Sequence, residues 1–148
     1  MIYIFIFYEF SMNSILQNKA LNIFKNNKLR LTKQRVSLVQ NIFQNVDRHI
    51  TAEALYNEMV SKGTKLSLAT VYNTLHFLTK CKMLRIVRVN SNQKYFDTNV
   101  NSHHHFYDEA SNSLIDIPED KINFKDLPAA PKSKKISEIE VIISLENN

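Results

Sequence analysis

From Ser14 to Lys80 apolar residues return every three or four positions, and from Leu84 to Asp97 they nearly alternate. That change of period predicts four helices followed by a two-stranded hairpin. Ser14 caps a first helix whose apolar positions are Ile15, Leu16, Leu21 and Phe24. Thr32 caps a second, with Val36, Val39, Ile42 and Phe43 on one stripe. Thr51 caps a third, with Leu55, Met59 and Val60 inward and Gly63 as the residue that stops it. Ser67 caps a fourth that runs to about Lys80, with Leu68, Val71, Leu75 and Leu78 inward. Leu84–Val89 and Gln93–Asp97 read as strands around a turn at Asn90-Ser91-Asn92. Beyond them, Phe106–Tyr107 and Leu114–Ile117 read as short strands around a turn at Ser111–Ser113. Pro118, Pro128 and Pro131 break the next stretch into loop, and Ile136–Leu145 alternates as one more strand with Ile139, Val141 and Ile143 on one face.

Charge divides the chain just after the hairpin. Residues 1–98 hold 14 Lys/Arg against 5 Asp/Glu, net +9; residues 99–148 hold 5 against 9, net −4. A basic stretch of helices followed by a hairpin is the outline of a winged helix-turn-helix, and its charge suits a polyanion. With 44% apolar residues among 148, the chain has the material for a core. The lone cysteine, Cys81, excludes an intrachain disulfide and any four-cysteine zinc site. One glycine excludes a glycine-rich phosphate loop. Met1–Phe10 is apolar, yet too short to cross a bilayer as a helix and without a basic region or cleavage site. It reads as an extra strand or disordered arm, or as an upstream start with Met12 as the natural one. No membrane segment follows, so the expected compartment is the cytoplasm. The expected division is an extension over 1–13, a DNA-binding domain over 14–98 and a second domain over 99–148.

The fourth helix offers Ser67, Thr70, Tyr72, Asn73 and Thr74 at or near its N-terminal end. Tyr72 and Asn73 project away from the apolar stripe. A tyrosine can touch a thymine methyl or a phosphate, and an asparagine can pair with adenine. Lys33, Arg35, Lys62, Lys65, Arg85, Arg88 and Lys94 supply charge for phosphates. The plainer reading of the same charges is a solvated face on a helical bundle. His103-His104-His105 stands where the two charge regions meet. On a strand, residues two apart share a face at about 6.6 Å, so His103 and His105 point one way and His104 the other. With His49, Asp97 and Asp116 they form a nitrogen and carboxylate set suited to Mn, Fe or Zn. The plainer reading is a solvated turn.

Three stretches resemble the Fur family of metal-dependent regulators: Leu29-Arg-Leu-Thr-Lys-Gln-Arg35, His49-Ile-Thr-Ala-Glu-Ala-Leu-Tyr56 and Leu66-Ser-Leu-Ala-Thr-Val-Tyr-Asn-Thr-Leu75. The downstream Tyr95–Asn99, His103–Phe106, Leu114–Pro118 and Ile136–Leu145 are closer to its iron response regulator branch. The resemblance covers about residues 14–146. It implies an α+β fold, an N-terminal winged helix-turn-helix followed by a small α/β dimerisation domain, working as a homodimer on an AT-rich palindromic operator in double-stranded DNA. It implies DNA contacts from Arg30, Ser67, Thr70, Tyr72 and Asn73, with Asn73 standing where many members have Arg. It implies a regulatory metal site of His49, Asp97, His103, His105 and Asp116 between the domains, for Mn, Fe or Zn. His104 lies where members carry a ligand of a second site.

Members with a structural zinc have two CxxC pairs; here Asp108 and Ser111 stand at the first pair and the second is missing. No Cys-Pro dipeptide is present, so any haem falls to His103, His104 and His105. The implied function is an iron- or haem-responsive transcriptional repressor of iron and haem metabolism genes, not an enzyme. Two rivals use the same residues: a constitutive winged-helix DNA-binding protein with idle histidines, and a metal-dependent hydrolase, for which nothing marks a substrate pocket.

Overall fold

The computed structural model describes residues 2–45, 47–90 and 93–147, with side chains from Met12 onward. It divides into two compact units, Met1–Val100 and Asn101–Asn148. The fold class is the expected α+β. The first unit runs α1 (Ile2–Asn26), α2 (Lys33–Ile42), β1 (His49–Ile50), α3 (Ala52–Ser61), α4 (Leu68–Lys80), β2 (Arg85–Arg88) and β3 (Lys94–Asp97). Its strands form an antiparallel sheet in the order β1-β3-β2. The second unit holds β4 (His103–Asp108), β5 (Ser113–Pro118), one turn of 3-10 helix (Glu119–Lys121) and β6 (Ile142–Leu145). Its order is β5-β4-β6, with β4 antiparallel to β5 and parallel to β6.

Three helices start where hydroxyl caps predict. Thr32 accepts from the Arg35 amide, Thr51 from Ala54 and Ser67 from Thr70, each satisfying an amide that has no partner inside its helix. α3 stops in a Schellman turn. The Gly63 amide donates to the Val60 carbonyl and the Thr64 amide to Met59, with Gly63 at φ +78°. The core of this unit gathers Phe24 from α1, Leu38, Val39, Ile42 and Phe43 from α2 and its end, and Leu55 and Met59 from α3. Val71, Leu75 and Leu78 come from α4, and Phe96 comes from β3.

Several expectations need correction. The first helix begins at Ile2, not Ser14, so residues 2–13 are neither strand nor disordered arm. No glycine or proline precedes Gly63, and lengthening an existing helix costs less than starting one. Ile15, Val60 and Leu68, expected inward, are exposed, while Leu38, which the stripe omitted, is buried. Thr74 is also buried and donates its hydroxyl to the Thr70 carbonyl, which removes it from the groove-facing set. β1 was not expected, because two residues carry no period. The last strand spans only Ile142–Leu145. At its entrance the Val141 carbonyl accepts from the His105 amide, but the Val141 amide donates to the His104 ring and not to backbone, so regular pairing starts only at Ile142. Of the expected hairpin turn, Ser91 and Asn92 lie outside the described residues.

Candidate metal and nucleic-acid sites

β1 is short but holds one candidate ligand beside another. His49 and Asp97 are cross-strand partners, and His49 Nε2 stands 3.8 Å from Asp97 Oδ2, with the Asp97 side chain fully buried. The ladder is extended next to them: Arg48 donates its amide to Thr98 Oγ1 at 2.8 Å, and the Thr98 amide donates to the Arg48 carbonyl at 3.0 Å. The Arg48 guanidinium in turn reaches the Asn41 carbonyl on α2 and Glu58 on α3, the latter at 2.9 Å. One arginine therefore ties the strand that carries His49 to two helices. Burial opposes ionisation of Glu58, but hydrogen bonds from Lys62, Asn41 and Arg48 outweigh it and lower its pKa to about 2.

In the second unit, alternation along β4 puts His103 and His105 on one face, their rings 4.5 Å apart edge to face. Asp116 is the cross-strand partner of His105 on β5. Its Oδ1 lies 3.4 Å from His103 Nε2 and 3.7 Å from His105 Nε2. His103 Nδ1 is 2.8 Å from the Asn101 carbonyl, which only accepts, so Nδ1 carries a proton and Nε2 is the ring nitrogen left facing Asp116. Glu140 Oε1 lies 3.6 Å from His105 Nδ1, a carboxylate behind an imidazole of the kind that orients metal ligands.

These separations exceed good hydrogen bonds and match something else. Two donor atoms bound to one ion at about 2.1 Å stand roughly 3.0–3.4 Å apart. Imidazole nitrogens facing carboxylate oxygens at 3.4–3.8 Å are therefore close to the edges of a coordination polyhedron. Nitrogen and oxygen donors without thiolate fit Mn, Fe or Zn. The structure brings His49 to Asp97, and His103 and His105 to Asp116. It separates His104, which points to the opposite face, accepts from the Val141 amide at 3.3 Å and meets Phe124 edge-on at 5.8 Å. The three histidines proposed for haem thus do not share one face, because the pleat divides them. Asp108 and Ser111 close the β4–β5 turn: Ser111 donates to Asp108 Oδ2 at 2.6 Å, and that bond leads the fall in the Asp108 pKa.

Among the expected nucleic-acid residues, Ser67 and Thr70 bond to each other at 2.9 Å while capping α4. Tyr72 and Asn73 are exposed on that helix, and Arg30 is exposed between α1 and α2. Two neighbours escaped the sequence reading. Tyr72 donates its hydroxyl to Glu53 Oε1 at 2.5 Å, and His76 stacks against the tyrosine ring with centroids 6.1 Å apart. Glu53 lies 19 residues upstream, and no local pattern signals the pairing; His76 sits four residues on, at helical spacing. No helix among the described residues is long and apolar enough to cross a membrane.

Known proteins resemble this chain. Residues 26–144 match the ferric uptake regulator family. Over 97 residues the chain is 31% identical to the ferric uptake regulation protein of Synechococcus elongatus, covering 63% of this chain and 65% of the relative's length. The Helicobacter pylori ferric uptake regulator, described as having three functional metal binding sites, superposes with a TM-score of 0.65 at 17% identity, covering 90% of this chain and 91% of that one. The Francisella tularensis regulator solved with iron gives 0.65 at 14% identity, over 80% and 92%. At these identities the structural likeness speaks for the fold.

Proposed function

The chain belongs to the ferric uptake regulator family, and from that premise we propose that it is a metal-responsive transcriptional repressor of the cytoplasm, not an enzyme, that binds operator DNA as a homodimer. The observation that carries this reading is Asp116 Oδ1 set against both His103 Nε2 and His105 Nε2 at ligand-edge distances. We take His49, Asp97, His103, His105 and Asp116 as one ligand set for a divalent ion. Such an ion supplies concentrated charge and a preferred coordination geometry. His103, its Nδ1 proton held by the Asn101 carbonyl, keeps Nε2 ready as a donor. Asp97 and Asp116 supply the negative charge, and Arg48 fixes the strand of His49 to α2 and α3. Ligand capture then biases the poses open to the helix that reads DNA, and only a pose matching half-site spacing binds tightly.

For the DNA contacts the reading assigns Tyr72 and Asn73 to base edges, Ser67 and Thr70 to the start of the same helix, and Arg30 to the minor groove of an AT-rich palindrome. Homodimerisation is supported by one face of the second sheet, where Phe106, Ile115 and Ile143 lie side by side in register, with Ile115 52% and Ile143 39% exposed. We place the chain near the iron response regulator branch, since hydrogen bonds replace the first cysteine pair, and iron is the proposed signal.

The deciding experiment is a gel shift of the purified chain on an AT-rich palindromic duplex with Mn(II), Fe(II), Zn(II), haem or chelator. Ion-dependent retardation supports the reading. Equal retardation in every lane leaves a constitutive binder and overturns the sensing, and a response to haem alone moves the signal from ion to porphyrin.

A further inference from the structure

We infer that Glu53 is a specificity-determining residue: by taking the hydroxyl proton of Tyr72 it makes that tyrosine an acceptor-only reader of exocyclic amino groups in the major groove and withholds it from phosphate. The inference rests on the DNA-binding reading above and adds the chemistry of its selectivity.

A phenol has one proton to donate, while its oxygen also accepts; a carboxylate only accepts. The direction of the Tyr72–Glu53 bond is therefore fixed, with Tyr72 donating at 2.5 Å. Both residues are exposed, so this bond does not exist to satisfy a buried group. It joins the first turn of α3 to α4 and sets the phenol oxygen at the surface with its donor already committed. His76 stacks on the same ring, at an interplanar angle of 16°, and itself meets Phe96 edge-on at 5.5 Å. The ring is held along its face and at its hydroxyl. Hydrogen bonding to Glu53 leads the rise in the Tyr72 pKa, with burial and the carboxylate charge adding to it, so the phenol stays protonated.

Phosphate oxygens are acceptors, and a tyrosine whose proton is taken has nothing to give them. The Glu53 charge beside it adds repulsion. In the major groove, adenine N6 and cytosine N4 present donors, whereas guanine O6 and thymine O4 accept. The Tyr72 oxygen and the Glu53 carboxylate together form an acceptor pair that the first two satisfy and the last two do not. A free tyrosine would bond to either kind of base edge and to phosphate, and would discriminate little.

The test uses the purified full chain with Mn(II). A duplex is selected from a library with a randomised centre, and affinity is measured for it and for a scrambled duplex of equal composition. Glu53→Ala is expected to lower the selected-to-scrambled ratio about tenfold, chiefly by tightening the scrambled complex. Glu53→Gln, whose amide oxygen still accepts the tyrosine proton, is expected to keep the ratio within about twofold. Replacing selected adenines by purine lacking the 6-amino group is expected to weaken the wild type more than Glu53→Ala, whose tyrosine can turn its freed proton to other acceptors. A wild type that selects, with a Glu53→Ala that selects equally well, overturns the inference alone. Glu53→Gln behaving like Glu53→Ala also overturns it, since charge and not acceptance would then be at work. A wild type without preference overturns the DNA-reading function and the inference with it.

Discussion

At the scale of single residues, protons and lone pairs decide most of the chemistry. Removing the imidazoles by His103→Ala with His105→Ala is expected to abolish tight Mn(II) binding in calorimetric titration, while His104→Ala, on the other face, leaves it in place. Glu58 gives a pH prediction. Its folded pKa of about 2 lies below the ordinary 4.5, so its stabilisation is complete above about 4.5 and is lost as pH falls toward 2. The side chain is 29% exposed, so screening reduces the effect to on the order of 1 kcal/mol. Urea unfolding between pH 6 and pH 2.5 should show Glu58→Gln less stable at pH 6, with most of that difference gone at the acid end. That His103 and His105 share a face was legible, because strand alternation suffices to suggest it. The Tyr72–Glu53 bond was not, since it depends on how α3 crosses α4, and no local period encodes that crossing.

Among the elements, beginnings were more legible than endings. Thr32, Thr51 and Ser67 announce their helices because a hydroxyl cap is a local device. The start of α1 was hidden, since nothing in Met1–Ser14 punctuates it. α4 ends as α3 does, but without glycine. The Lys82 amide donates to the Thr79 carbonyl and the Met83 amide to Leu78, with Lys82 at φ +57°. A lysine in that left-handed conformation carries strain that glycine lacks. Lys82→Gly is therefore expected to stabilise the chain by about 0.5–1 kcal/mol in chemical unfolding. Gly63→Ala should cost a similar amount in the other direction. A Cβ there meets nothing within 4 Å, so the whole cost is backbone conformation at φ +78°.

For the whole molecule, the net charge turns from +9 over residues 1–98 to −4 over residues 99–148, close to where the chain divides into two compact units after Val100. The sheet order β5-β4-β6 was not readable, because parallel pairing of β4 with β6 joins segments separated by a long exposed loop. Ligand binding is a property at this scale, since an ion that prefers the folded chain raises its stability. Mn(II) at about 100 times its dissociation constant should add roughly 2.7 kcal/mol, and the thermal midpoint should rise in the wild type but not in the variant lacking His103 and His105. The turn closed by Asp108 and Ser111 has a consequence for life under oxidants. Peroxides and disulfide-forming reagents attack sulfur, and no cysteine lies anywhere in residues 101–148. A carboxylate latched by a hydroxyl cannot be burnt open in that way, so this third of the protein should keep its turn closed under reagents that attack thiols.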